Sequence, residues 1–271
     1  MTSSQNLRRP AALVTGGSGG IGLELARCLA RDHHEIVIVA RREAGLAAAA
    51  AELRSAGARG VTTVPADLSR PEDIERLFAT LDASALDITI LVNNAGFGAA
   101  GAFAGTPLDR QLAMIQTNIA ALTCLTHRLL PPMLSRRSGR ILNVASTAAF
   151  QPGPFMAVYY ASKAYVLSFS EAVAEELRGS GVTVTALCPG PTATGFAARA
   201  RLGATRMFRR GVVMSARSVA EAGYAGMLRG DRIVVPGAAN KVVAQANRLA
   251  PRALMTRITR RLNERRAPPA D

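Results

Sequence analysis

Tryptophan is absent from this chain of 271 residues, and all aromatics together make up only 4% of it. Cysteine and histidine occur three times each. Cys28, Cys124 and Cys188 lie far apart, with no CxxC and no Cys/His cluster. That spacing argues against a disulfide framework or a structural zinc site and suits buried or half-buried thiols in a reducing compartment. His33, His34 and His127 share no ligand spacing, so no metal is assigned. No apolar run approaches the ~18–20 residues of a membrane span. The segment Met1 to Pro10 lacks the apolar core of a secretory signal. The expectation is a cytoplasmic protein.

Lysine is also scarce. Of 33 basic residues only Lys163 and Lys241 are lysine, and 19 acidic residues leave a net charge of +14. The charge is uneven. Residues 1–190 hold 17 basic and 15 acidic residues, whereas residues 191–271 hold 16 and 4. A near-neutral body therefore carries a basic C-terminal third. Such a field attracts phospholipid, nucleic acid, a phosphopantetheine carrier or a carboxylate substrate. Nucleic acid fits least, because the region lacks interleaved aromatics and any reader motif.

What is present is an alternation. Short Val/Ile-rich runs at 11–15, 36–40, 61–64, 88–92, 140–144, 182–187 and 232–235 read as strands buried on both faces. Helical stretches at 20–31, 43–56, 71–81, 108–134, 158–178 and 218–228 separate them. This order predicts an α/β fold, a doubly wound parallel sheet of about seven strands with right-handed crossovers. No linker splits it, so residues 1–236 form one domain. Residues 191–216 make a long connection and residues 237–271 a basic extension, both departing from the rhythm.

Several residues carry chemistry. The first strand runs into Thr15-Gly16-Gly17-Ser18-Gly19-Gly20-Ile21-Gly22, which opens a helix. Glycines there let backbone approach a pyrophosphate, and the helix start supplies free N–H groups. Gly16, Ser18, Gly20, Ile21 and Gly22 are thus cofactor candidates. A carboxylate commonly follows at the end of the second strand in NAD sites. Here Arg41 and Arg42 stand instead, and guanidinium groups grip a 2′-phosphate, which favours NADP(H). Asp67 and Leu68 end the third strand and are placed at the adenine edge. Asn94, Ala95 and Gly96, within Asn93-Asn94-Ala95-Gly96, follow the fourth strand and line the crevice. Ser146 ends the fifth strand. Tyr159 and Lys163 are four apart on one helix face. A nearby ammonium lowers a phenol's pKa, so Tyr159 can protonate a carbonyl oxygen that Ser146 also binds.

Together these motifs resemble the short-chain dehydrogenase/reductase family. Thr15-Gly-x-x-x-Gly20-x-Gly22, Asn93-Asn94-Ala95-Gly96, Asn118 in Thr117-Asn118-Ile119-Ala120, Ser146, Tyr159-x-x-x-Lys163 and Pro189-Gly190 match in order and spacing over roughly 10–236. Ala145 stands where a second serine is common. The resemblance implies a Rossmann-type fold and a nicotinamide cofactor. It makes Tyr159 the general acid/base and Lys163 its partner, which also binds the nicotinamide ribose. Ser146 orients the substrate oxygen. Asn118 fixes a helix distortion and a water linked to Lys163. Thr192 touches the carboxamide, and Pro189 and Gly190, like Tyr159 and Lys163, touch the cofactor. Residues 191–216 become a substrate lid, and the helices bearing Asn118 and Tyr159 become the interface of a homodimer or homotetramer.

The leading reading is an NADP(H)-dependent oxidoreductase interconverting a ketone or aldehyde with an alcohol. Lid residues Arg199, Arg201, Arg206, Arg209 and Arg210, beside Phe196, Met207 and Phe208, suit an anionic or carrier-bound substrate or a solvated loop. Phe97, Phe150 and Phe155 are candidates for an apolar substrate pocket. The alternative is a cofactor-binding scaffold recruited to a membrane or partner by its tail. That tail alternates Val242, Val243, Leu249, Leu254, Ile258 and Leu262 with Arg248, Arg252, Arg257, Arg260 and Arg261, and Pro251 divides it into two short helices. They could lie on an anionic membrane, giving peripheral attachment, or pack on the body or a second subunit.

Overall fold

The computed structural model describes residues 8–196 and 213–264, apart from the side chains of 247–249. Arg199, Arg201, Arg206, Met207, Phe208, Arg209, Arg210 and the side chains of Arg248 and Leu249 lie outside the described residues.

Strands β1 (Arg9–Thr15), β2 (Glu35–Ala40), β3 (Gly60–Pro65), β4 (Leu86–Asn93), β5 (Gly139–Val144) and β6 (Val182–Leu187) form the body of the sheet. Two short strands, β7 (Thr192–Ala193) and β8 (Met214–Ser215), pair with each other across the connection 191–216. The last strand, β9 (Ile233–Val234), completes a seven-stranded sheet in the order β3-β2-β1-β4-β5-β6-β9. Every pairing in it is parallel. The order reverses between β1 and β4, and this is the Rossmann-type arrangement that opens a crevice at the strands' carboxyl ends.

Alternating side chains explain why the strand runs are continuously apolar. Ala11 and Leu13 enter one core, whereas Ala12 and Val14 enter the other. Helices α1 (Gly20–Arg31), α2 (Glu43–Ser55) and α7 (Ala216–Arg229) cover the second face, through Leu25, Leu29, Leu46, Leu53, Val219 and Met227. Helices α3 (Pro71–Ala83), α5 (Ala121–Ser135) and the end of α6 (Ala157–Glu176) cover the first. Each fully buried Leu in these layers contributes about 1.5–3 kcal/mol of transfer free energy.

Local signals set the helix limits. Pro71 opens α3, followed by Glu72 and Asp73 in the first turn. Ser215 caps α7 by accepting the Ser218 N–H, and Gly230 ends that helix at φ 75°. The stretch expected to be one helix over 108–134 is interrupted. Helix α4 (Leu108–Ile115) passes into a π-turn, Gln116–Ala120, before α5 begins. Asn118 lies in the wider turn and uses its side chain to bind groups elsewhere, as described below. Beyond β9, α8 (Ala238–Leu249) and α9 (Arg252–Asn263) flank Pro251. Both pack on the body.

Candidate active site

The glycine-rich turn fits a phosphate group. Gly16 and Gly20 hold φ values of 65° and 57°, which only glycine adopts without strain. At Gly19 a Cβ would meet nothing within 4 Å, so the turn is open on that side. Helix α1 begins here without a side-chain cap and without an acid in its first turn. Its N–H groups and dipole are therefore available to an anion. At Gly22 a Cβ would lie 2.3 Å from Asn94 Nδ2 and 2.4 Å from Gly16 O. Asn94 earns that space by donating to the carbonyls of Thr15 (2.9 Å) and Gly16 (3.2 Å). The Thr15 hydroxyl accepts the N–H groups of Asn94 and Ala95, both at 3.0 Å. The two loops of the crevice are thus tied together. Ser18 and Ile21 sit half-buried in the first of them.

Asn93 faces the other way. Its Nδ2 donates to Thr126 Oγ1 (3.1 Å) and Asn143 Oδ1 (2.9 Å) inside the core. Arg41 and Arg42 are exposed at the end of β2. Arg41 lies 4.0 Å from Asp67 Oδ2, an exposed pairing worth little. Asp67 Oδ1 also accepts the Ser69 N–H and hydroxyl. Leu68 points its side chain into the core, so only its backbone reaches the crevice.

Ser146, just after β5, and Tyr159 with Lys163, both on α6, converge from two places. Ser146 follows β5, with its hydroxyl near enough to the Tyr159 phenol to favour the phenolate. That hydroxyl also accepts the Ala148 N–H and donates to Pro189 O at 3.4 Å. Lys163 is buried, 6% exposed, and donates to Val144 O at 2.7 Å. Its Nζ stands 6.0 Å from the Tyr159 ring centroid. Burial pushes the ammonium down to about 8. Burial also raises the Tyr159 phenol above its ordinary value, while the Ser146 hydroxyl opposes that rise. The expected lowering by Lys163 is not seen: the ring is enclosed by Phe97, Met156 and Phe196, and the ammonium is turned to a carbonyl.

Asn118 grips Phe97 from both sides, accepting its N–H and donating to its carbonyl, each at 3.1 Å. It also donates to Ser162 Oγ at 3.0 Å. Near the other end, Thr192 is buried and turns its hydroxyl to Gly190 O at 2.9 Å. Cys188 beneath it has its thiol pushed up to about 12 by burial and is an inert core residue. Phe155 lines a small depression with Phe103, Gln111, Met114 and Met156. Phe150 packs instead beside Leu122, Val166 and Leu167, away from Tyr159.

Four further residues adjoin the site without having been placed there by the sequence. The side chain of Thr194 comes within 3.2 Å of where a Gly20 Cβ would stand. Phe196 meets Tyr159 with ring centroids 5.3 Å apart. Asn240 of α8 lies against Gly190, leaving no room for a Cβ there. Asn263 of α9 is 2% exposed, accepts the Tyr160 hydroxyl at 3.4 Å and donates to Pro154 O at 2.9 Å. These contacts join segments from 37 to 174 residues apart in sequence, which hides them from local patterns.

A glycine cradle on a Rossmann-type sheet, with Ser, Tyr and Lys converging at its carboxyl edge, leads to comparison with known proteins. The model of the family described as short chain dehydrogenase matches residues 10–204. The chain belongs to the short-chain dehydrogenase family. This short-chain dehydrogenase is 35% identical over 196 residues to the ketoacyl reductase HetN of a Nostoc species, covering 72% of this chain and 68% of HetN. It resembles the solved short-chain dehydrogenase from Sphingobium yanoikuyae in complex with NADPH, at 33% identity and a TM-score of 0.79, over 97% of this chain and 99% of that one. It also resembles the bulky-bulky ketone specific alcohol dehydrogenase from Comamonas testosteroni, at 29% identity and a TM-score of 0.74, over 92% and 94% of the two chains. As a family member it is an oxidoreductase of nicotinamide type. Among the described residues of this short-chain dehydrogenase, no helix is long and apolar enough to cross a membrane.

Proposed function

We propose that this oxidoreductase uses NADP(H) to interconvert a ketone or aldehyde with an alcohol. The observation that carries the reading is the convergence of Ser146, Tyr159 and Lys163 beside an uncapped helix start. In this reading Gly16, Ser18, Gly20, Ile21 and Gly22 hold the pyrophosphate. Arg41 and Arg42 receive the 2′-phosphate, and their exposure leaves them free to do so. Asp67 and the Leu68 backbone border the adenine; Asn94, Ala95, Gly96, Pro189, Gly190 and Thr192 border the nicotinamide half. When bound, the dinucleotide supplies or accepts a hydride at the substrate carbon. Tyr159 transfers a proton between its phenol and the substrate oxygen, and Ser146 holds that oxygen by a hydrogen bond. Lys163, charged below about pH 8, favours the phenolate and binds ribose hydroxyls. Asn118 positions the Phe97 and Ser162 backbone and hydroxyl around them. The ring of Phe97, Met156 and Phe196 suits an apolar substrate. The NADPH-bound Sphingobium structure and the ketone-specific Comamonas enzyme support both cofactor and substrate class.

In the same reading residues 1–236 are the catalytic domain, with 191–216 as lid, and residues 237–271 an extension that completes it. Exposed Tyr165, stacked on Phe169 at 5.7 Å, marks α6 as a face for a homo-oligomer.

Titration with NADPH and NADH, followed by nucleotide fluorescence, tests the cofactor. NADPH should bind at least about tenfold tighter, or ~1.4 kcal/mol. Arg41→Asp should erase that gap. Preference for NADH in the parent would overturn the role of Arg41. With a ketone substrate, Tyr159→Phe should lower turnover by about 10²–10⁴-fold and leave nucleotide affinity unchanged. Retained turnover would remove Tyr159 from the chemistry.

A further inference from the structure

Helix α9 is amphipathic in the reverse of the usual sense. Its fully buried positions are polar: Thr259 is 1% exposed and Asn263 2%. Its apolar positions face out. Leu254, Ile258 and Leu262 are 50%, 41% and 39% exposed, and their spacing of four places them in one stripe along the helix. Arg257 and Arg261, both exposed, run beside that stripe. No described carboxylate pairs with Arg252, Arg257 or Arg261. Glu264 is engaged by Arg260, whose guanidinium also lies 5.7 Å from the centre of the Phe155 ring. Helix α8 adds exposed Val242 and Val243 next to Lys241. In the sequence, Arg265 and Arg266 follow directly.

We propose that the outer face of α9, Leu254, Ile258 and Leu262 flanked by Arg257 and Arg261, docks this protein on an anionic lipid surface. A helix that turns Leu and Ile outward leaves apolar area in water unless something covers it. The Arg rows decide what covers it. A second copy would bring the same cations into contact with these, and like charges across an interface disfavour that pairing. An anionic bilayer offers both parts of the complement: acyl chains for the stripe and phosphates for the guanidinium groups. Arg also suits the boundary, because its aliphatic stem lies along apolar surface while its head reaches phosphate. The opposite face of the same helix holds Tyr160 and the Pro154 carbonyl, so docking would place the Tyr159 side of the molecule near the lipid. The docking itself does not depend on the reductase reading.

Co-sedimentation of the full chain with vesicles tests this. One set is phosphatidylcholine alone; the other is an equimolar phosphatidylcholine and phosphatidylglycerol mixture. Binding should be at least about tenfold stronger to the anionic set and should weaken as salt rises. Two variants separate the contributions: Leu254→Ser/Ile258→Ser/Leu262→Ser, and Arg257→Glu/Arg261→Glu. Each should lose most of the vesicle binding while keeping the parent's melting temperature and nucleotide affinity. Equal binding to both vesicle sets overturns the proposal, as does no binding to either. Undiminished binding by the Ser variant overturns the stripe's part in it. A parent that sediments as an oligomer by ultracentrifugation, ignores vesicles and becomes smaller in the Ser variant assigns the face to a second copy instead.

Discussion

Lys163 is one of two lysines among 33 basic residues, and its surroundings account for the choice. The side chain must be buried, reach Val144 O and still titrate near neutrality. An arginine would stay charged at every relevant pH and would need a wider space. The sign of the pH dependence follows. In the role proposed for it the group, an ammonium below about 8, supports ribose binding. As pH rises through about 8 that support is lost. Nucleotide affinity should therefore be flat in acid and fall with a midpoint near pH 8, and Lys163→Met should flatten the profile. For folding the sign is opposite. The free lysine value is ~10.4, so the folded chain releases this proton before the unfolded one does. Burying the charge is a penalty present below about 8 and relieved as pH rises from there toward the unfolded value. A pH series of urea melts on the nucleotide-free protein would show it. Tyr159 and Lys163 were legible as a pair from their spacing of four. The sequence did not show that the ammonium turns to a main-chain carbonyl, because that carbonyl belongs to a strand nineteen residues earlier.

At the scale of elements, glycine matters where two backbones meet. The contact of α1 with the loop after β4 leaves no room at Gly22, where a Cβ would stand 2.3 Å from Asn94 Nδ2. Gly22→Ala should destabilise the fold by about 1–3 kcal/mol. It should also weaken nucleotide binding, since Asn94 would have to release the Thr15 and Gly16 carbonyls. Denaturant melts and fluorescence titration read the two effects. The strands were legible because a run buried on both faces is apolar throughout; their limits moved by only a residue or two. The break between α4 and α5 was not, because helical periodicity alone does not register the extra residue of a π-turn. Asn118 fills that turn with bonds to Phe97 and Ser162, partners that are brought near only by the sheet.

For the whole molecule, the basic C-terminal helices are joined to the body of the fold. Asn240 presses on Gly190, and Asn263 reaches Tyr160 and Pro154. Asn263→Ala would orphan the Pro154 carbonyl and the Tyr160 hydroxyl, costing about 1–3 kcal/mol. Its melting temperature should fall, and KM for ketone should rise more than kcat falls, since the Tyr160 ring meets Tyr159 edge-on. A purely recruiting tail would change neither.

By itself the sequence determined the layer order, the glycine cradle, the Arg pair and the Ser–Tyr–Lys set. Each of these rests on periodicity or on short spacings along the chain. The tertiary structure decided which way the side chains face. It turned Asn93 into the core and Asn94 into the crevice, raised the phenol by enclosing it, and folded the extension back over the site with its polar residues inward. Those outcomes depend on contacts between segments far apart in the chain, where burial and hydrogen-bond satisfaction outweigh any local preference.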